Sequence, residues 1–192
     1  MVDSTVKNKA KLLVFFGMTA AGKSFLATHW ARKNGYPHHN TDVVRKELTG
    51  IAASSRQNSG IGQGIYSSEF SAKTYNELIR RAKEDLTRLH AGTVVVDGSY
   101  ARKEDRDALV KAFKDEVDIY FIYCHCEDSV VKERLEMRAS DPEAVSDGRW
   151  EIFLMQKKTF VAPRAIENAK LLCLDTNRPI GILLADIDGF IN

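Results

Sequence analysis

Apolar and polar positions alternate along this chain in blocks of two kinds. Residues 11–16 end in the unbroken run Leu12-Leu13-Val14-Phe15-Phe16, the pattern of a strand buried on both faces. Residues 24–33 place Leu26 and Trp30 four apart, one helical turn. A short second strand is expected to end near His39, with a helix starting around Thr41. Residues 51–68 carry Gly60, Gly62, Gly64 and many serines and read as a loop. From about Ser71 to His90 the stripe Tyr75, Leu78, Ile79, Ala82, Leu86 and Leu89 predicts a long amphipathic helix.

The alternation continues to the end of the chain. Thr93–Asp97, with three successive valines, predicts a strand, and 102–115 a helix charged on one side. Asp118–Cys124 reads as a strand and 128–138 as a helix. Ser140, Asp141, Pro142, Asp147 and Gly148 mark a break over 139–149. A helix over 150–160, a strand over Leu171–Asp175 and a helix over 179–189 complete the pattern. Five short apolar strands separated by helices predict an α/β fold with a five-stranded parallel sheet, as one domain over 1–192. Its crossovers should be right-handed, and ligands should bind at the carboxyl ends of the strands.

Composition narrows the class without choosing a partner. The 192 residues are 44% hydrophobic and 28% charged, which excludes disordered and low-complexity chains. The balance of 28 basic and 26 acidic residues leaves +2, so any anion site must be built locally. A nucleic-acid partner is neither demanded nor excluded by such a charge, although an obligate DNA binder would show a stronger basic bias. Three cysteines, Cys124, Cys126 and Cys173, are few and odd in number, which argues for a reducing compartment and against a disulfide framework. Cys124-His125-Cys126 lacks a second ligand pair for zinc. Lys7, Lys9 and Lys11 before the first apolar run imitate a signal peptide, but the run is short and enters Gly17 directly. With no stretch approaching a membrane span, a cytoplasmic protein is expected.

The strongest motif is Gly17-Met18-Thr19-Ala20-Ala21-Gly22-Lys23-Ser24, which fits Gly-x4-Gly-Lys-[Ser/Thr]. Glycines allow close backbone approach to a polyphosphate, and successive N–H groups form an anion nest. The next helix adds its positive N-terminal end. Lys23 supplies charge for β- and γ-phosphates, and Ser24 a hydroxyl for Mg²⁺. The motif follows a strand and precedes a helix, as this mechanism requires. Gly60-x-Gly-x-Gly64 follows no strand and reads as a plain loop.

Asp42 and Arg45 are spaced to share one helix face. Such a carboxylate can take a proton from an attacking hydroxyl, and such an arginine can bind an anionic acceptor group. The same pair equally suits a helix first turn with its counter-ion, and the spacing alone supports both readings. Asp97 ends an apolar strand in the Walker B manner, a place for a carboxylate that supports Mg²⁺. Ser99, Tyr100 and Arg102 follow it as candidates for an acceptor pocket.

These segments resemble the small P-loop kinases of the polynucleotide-kinase and gluconate-kinase-like group. They are most similar to the predicted ATP-binding kinase domains found with aminoglycoside-phosphotransferase-like domains. The pieces GMTAAGKS, TDVVRKELTG, GIYSSEFSAKTYNELIRRA, TVVVDGSYARKEDR, VVKERLEMRASD and LLCLDT occur in the family's order and cover most of the chain. The resemblance implies a three-layer P-loop NTPase fold with a helical lid at about 127–160. It implies ATP bound by Gly17, Thr19, Ala20, Ala21, Gly22, Lys23, Ser24, Phe25, Arg134 and Thr176, and Mg²⁺ held by Ser24 and Asp97. Asp42 corresponds to the carboxylate that activates the acceptor hydroxyl, beside Lys23, with Arg134 and Arg138 as lid arginines. Arg45, Ser99 and Arg102 would meet the acceptor. Met-Thr-Ala-Ala stands where relatives carry proline and more glycine, and Phe25 where a second hydroxyl residue is common. The expected activity is transfer of the γ-phosphoryl group to a hydroxyl of a small molecule. A polynucleotide 5′-hydroxyl is the rival acceptor, and a nucleotide sensor or simple ATPase the rival of another class.

Overall fold

The computed structural model describes residues 9–52, 64–89, 92–139 and 149–192. Strand β1 (Ala10–Phe16) leads through a loop into α1 (Lys23–Asn34). Then come β2 (His38–Asn40), α2 (Thr41–Glu47), a 3₁₀ turn at Gly64–Tyr66 and α3 (Ser68–Leu89). The second half contains β3 (Thr93–Gly98), α4 (Lys103–Phe113), β4 (Val117–His125) and α5 (Asp128–Ala139). It closes with α6 (Trp150–Thr159), β5 (Lys170–Asp175) and α7 (Ile180–Ile191). Most of the loop expected over 51–68 and of the break over 139–149 lies outside the described residues. Among the described residues no helix is long and apolar enough to cross a membrane.

All five strands are parallel, in the order β2-β3-β1-β4-β5. Two layers of helix cover the sheet, and the two-residue period of the strands assigns each face. Leu12, Val14 and Phe16 join Val94, Val96, Ile119 and Phe121 beneath α3 and α4. Leu13 and Phe15 join Val95, Tyr120, Ile122 and Cys124 beneath α1 and α7. Burial on both faces explains why β1 has no polar position after Lys11.

Strand β1 lies between β3 and β4; its own connection runs through α1 to β2 on one side, while that of β3 runs through α4 to β4 on the other. That switch point opens a crevice at the carboxyl end of β1. The loop after β1 occupies it. A third cluster forms there: Ala20 of the loop packs with Val131, Leu135 and Phe153 of α5 and α6, with Trp150 stacked on Phe153. The lid helices are thus seated on the loop itself.

Candidate active site

The loop Gly17–Gly22 turns sharply because the backbone leaves it little room. Gly17 has φ +146°, and a Cβ there would stand 2.3 Å from the Cys124 carbonyl oxygen. Gly22, at φ +84°, starts α1. No side chain caps α1, and its first turn holds no carboxylate. The positive end of the helix is therefore left for an external anion. The Lys23 ammonium donates to the Met18 carbonyl at 3.3 Å. Burial pushes its pKa below the ordinary lysine value, against the opposing pull of Asp97 and Asp42.

Beside the loop stands a dense polar cluster. Asp97, fully buried at the end of β3, accepts from the Ser24 hydroxyl at 2.7 Å. The same oxygen accepts from the Asn40 amide at 2.8 Å, and its other oxygen meets His38 Nε2 at 2.5 Å. Three partners offset the cost of burying the carboxylate. The Thr41 hydroxyl donates to the Asp97 carbonyl at 2.5 Å. A hydroxyl and a carboxylate in this contact are the donor types a hard divalent cation takes.

The lid side is held by arginine. Arg134 of α5 donates to the Thr176 carbonyl and hydroxyl, both at 2.9 Å, and to the Ala20 carbonyl at 3.3 Å. It links α5 to the phosphate loop and to the loop after β5. Gln156 of α6 accepts from the Thr19 N–H at 2.7 Å. Between these parts lies a cavity of about 660 Å³, within the usual range for a small-molecule site. Its polar lining is Lys23, Ser24, Asn40, Asp42, Arg134, Arg138, Thr176 and Arg178. Phe25 and Met137, both largely exposed, add apolar surface.

The sequence-predicted residues divide between this cavity and its surroundings. Ala20, Gly22, Lys23, Ser24, Phe25, Asp42, Arg134, Arg138 and Thr176 line it. Gly17, Thr19 and Ala21 shape the loop behind, and Asp97 stands buried behind Ser24. Arg45, Ser99 and Arg102 do not line it. Arg45 turns back onto Asp42 at 2.9 Å and lies over the Tyr66 ring at 4.9 Å. The Ser99 hydroxyl is engaged by Tyr75 at 3.1 Å. Arg102 forks onto Asp105 within the first turn of α4, at 2.7 and 2.9 Å.

The sequence matches the AAA domain family over residues 12–163, from β1 to beyond α6. The chain belongs to the AAA domain family. No curated protein matches it in sequence. Several solved structures share the fold of this AAA domain. A sugar kinase from Janibacter sp. HTCC2649 superposes with a TM-score of 0.70 at 16% identity, covering 95% of this chain and 94% of its own. A gluconokinase from Sinorhizobium meliloti 1021 gives 0.61 at 19% identity, covering 94% and 90%. The Mycobacterium tuberculosis APS kinase, solved with AMPPNP and APS, gives 0.63 at 19% identity, covering 95% and 98%. The small P-loop kinase fold expected from the motifs is the fold found.

Four polar residues of this AAA domain at or beside the cavity, His38, Asn40, Gln156 and Arg178, escaped sequence reasoning. His38 and Asn40 bind Asp97 only because β2 pairs with β3, placing Asn40 opposite Asp97 in register. Gln156 reaches Thr19 across 137 positions of sequence. The polar ending His38-His39-Asn40 of a strand was the available signal for the first two.

Proposed function

We propose that this AAA domain is a kinase that transfers the γ-phosphoryl group of Mg²⁺-ATP to a hydroxyl of a small-molecule acceptor. One observation carries the reading: Asp42 lines the same cavity as Lys23 and Ser24. A nucleotide on the loop would direct its terminal phosphate toward a carboxylate on the neighbouring helix. Asp42 accepts the proton of the acceptor hydroxyl, and Lys23 holds the β- and γ-phosphates. Arg138, in the same cavity lining, meets charge that develops on the transferred group. Arg134 ties α5 to the loop after β5 through Thr176, and α5 and α6 shield the phosphates from water. Mg²⁺, held by Ser24 and through water by Asp97, would neutralise charge on the phosphates. Arg45, in contact with Asp42, orients that carboxylate.

The surface charges favour a small acceptor over a polynucleotide. On α3 and α4, Arg80 and Arg81 pair with Glu77, Arg88 with Asp85, Arg102 with Asp105 and Lys103 with Asp107. Cations already neutralised do little to draw a polyanion. The test is transfer of label from γ-labelled ATP to a panel of sugars, aminoglycosides, nucleosides, nucleotide sugars and a 5′-hydroxyl oligonucleotide. A labelled product is expected among the small molecules, with turnover about 10²- to 10⁴-fold lower in Asp42→Asn and nucleotide affinity retained. Full activity in both Asp42→Asn and Lys23→Ala would exclude the mechanism. Label on the oligonucleotide alone would replace the acceptor class.

A further inference from the structure

We infer that Asn40 is a positioning residue that couples the metal side of the site to the acceptor side. The inference rests on the kinase reading above. Asn40 stands where β2 ends and α2 begins, with extended backbone. Its side-chain oxygen accepts from the Asp42 N–H at 2.9 Å and the Val43 N–H at 3.0 Å, capping α2. Its side-chain nitrogen donates to Asp97 Oδ1 at 2.8 Å and reaches the Ser24 hydroxyl at 3.2 Å. The amide orientation is forced. Reversed, it would set NH₂ against two N–H donors and a carbonyl against a carboxylate.

One planar group therefore connects the proposed proton acceptor to the proposed metal residues. Serine and aspartate cap helices as well as asparagine does, and threonine nearly so. None of them also offers an N–H to a carboxylate on the opposite side. The cap alone does not require asparagine, but the coupling does. The Asp97 carboxylate is buried, so its direction is set by Ser24, His38 and Asn40. A shift in the Ser24–Asp97 pair is passed through the amide to the first turn of α2, where Asp42 stands. By this route the geometry around Mg²⁺ and the aim of the general base are set together.

The test compares wild type with Asn40→Ser and Asn40→Asp in three measurements. Serine retains a capping oxygen and removes the donor; aspartate retains the cap and sets a carboxylate against Asp97. Mn²⁺ binding to the AMPPNP complex, read by electron paramagnetic resonance, requires no knowledge of the acceptor. Thermal unfolding reports the cap, and ATP turnover reports kcat and KM separately. For Asn40→Ser we expect an unfolding midpoint lowered by the loss of one partner of buried Asp97, and an unchanged KM for ATP. Mn²⁺ affinity and kcat should each fall about 10- to 100-fold. For Asn40→Asp we expect a changed Mn²⁺ spectrum as well, because a new carboxylate faces the metal. Wild-type Mn²⁺ affinity and kcat in Asn40→Ser would overturn the inference and leave the kinase reading standing. Wild-type protein that binds no Mn²⁺–AMPPNP would sink the kinase reading itself, and the inference with it.

Discussion

At Gly17 the chain has room for a hydrogen atom and no more. Its backbone sits at φ +146°, and the nearest atom to any added Cβ is a main-chain oxygen of β4, which no side-chain rotation can move. Gly17 N–H also donates to the Ser99 carbonyl at 3.3 Å, tying the loop to the end of β3. A methyl group here adds backbone strain to a clash within the sheet. Gly17→Ala should therefore cost on the order of 3 kcal/mol in urea unfolding. A midpoint unchanged from wild type would show that the loop tolerates a shift of β4. The sequence motif pointed to this glycine for its approach to phosphate. The structure gives it a second reason, close packing against β4.

Helix α3 shows how far pattern reading extends at the level of an element. Its apolar stripe was legible because Tyr75, Leu78, Ala82 and Leu86 recur at helical spacing and all pack on the sheet. The first turn, Ser68-Glu69-Phe70, lies before that stripe, so the helix begins three residues earlier than the pattern indicates. Its polar face carries more organisation than alternating charges reveal. Glu77 accepts from Arg80 and from Arg81, and Arg81 reaches Glu47 at the end of α2 at 2.6 Å. Hydrogen bonds from Arg80 first, and then Arg81, hold the Glu77 carboxyl down to about 2, below its ordinary 4.5. A depressed carboxylate stabilises the fold fully above its ordinary pKa and loses that contribution as pH falls through the folded value. Between pH 4.5 and 2, thermal stability of wild type should thus decline more steeply than that of Glu77→Gln. Parallel slopes in differential scanning calorimetry would show that solvent screens the cluster.

Across the whole molecule, the parts of the site written on single strands were legible, and the parts written between strands were not. Lys23 and Asp97 come after apolar runs, so the carboxyl-end rule located them, whereas Asp42, after the short polar strand His38–Asn40, stood out by its spacing to Arg45. The partners of Asp97 depend on strand order, since β2 must neighbour β3 for His38 and Asn40 to arrive. Arg45 turns toward Asp42, the local pairing that spacing leaves open, and Arg102 pairs with Asp105 three residues on, a partner that escaped sequence reasoning. Strand order also sets the reactivity of the three thiols. Cys124 lies in β4 between β1 and β5, fully buried, and burial pushes its thiol up. Cys126, just past β4, is partly buried and is also raised, against the opposing pull of Arg134. Cys173 lies on β5 at the edge of the sheet and is exposed. Alkylation requires an accessible thiolate. Peptide mapping of native protein treated with iodoacetamide should find Cys173 modified first and Cys126 more slowly. Cys124 should react only at the rate of global opening, because its strand is freed when the sheet separates. Equal labelling of Cys124 and Cys173 under native conditions would mean that β5 detaches on its own. The loop after β5, with Thr176 and its bond to Arg134, would then open as a unit distinct from the rest of the sheet.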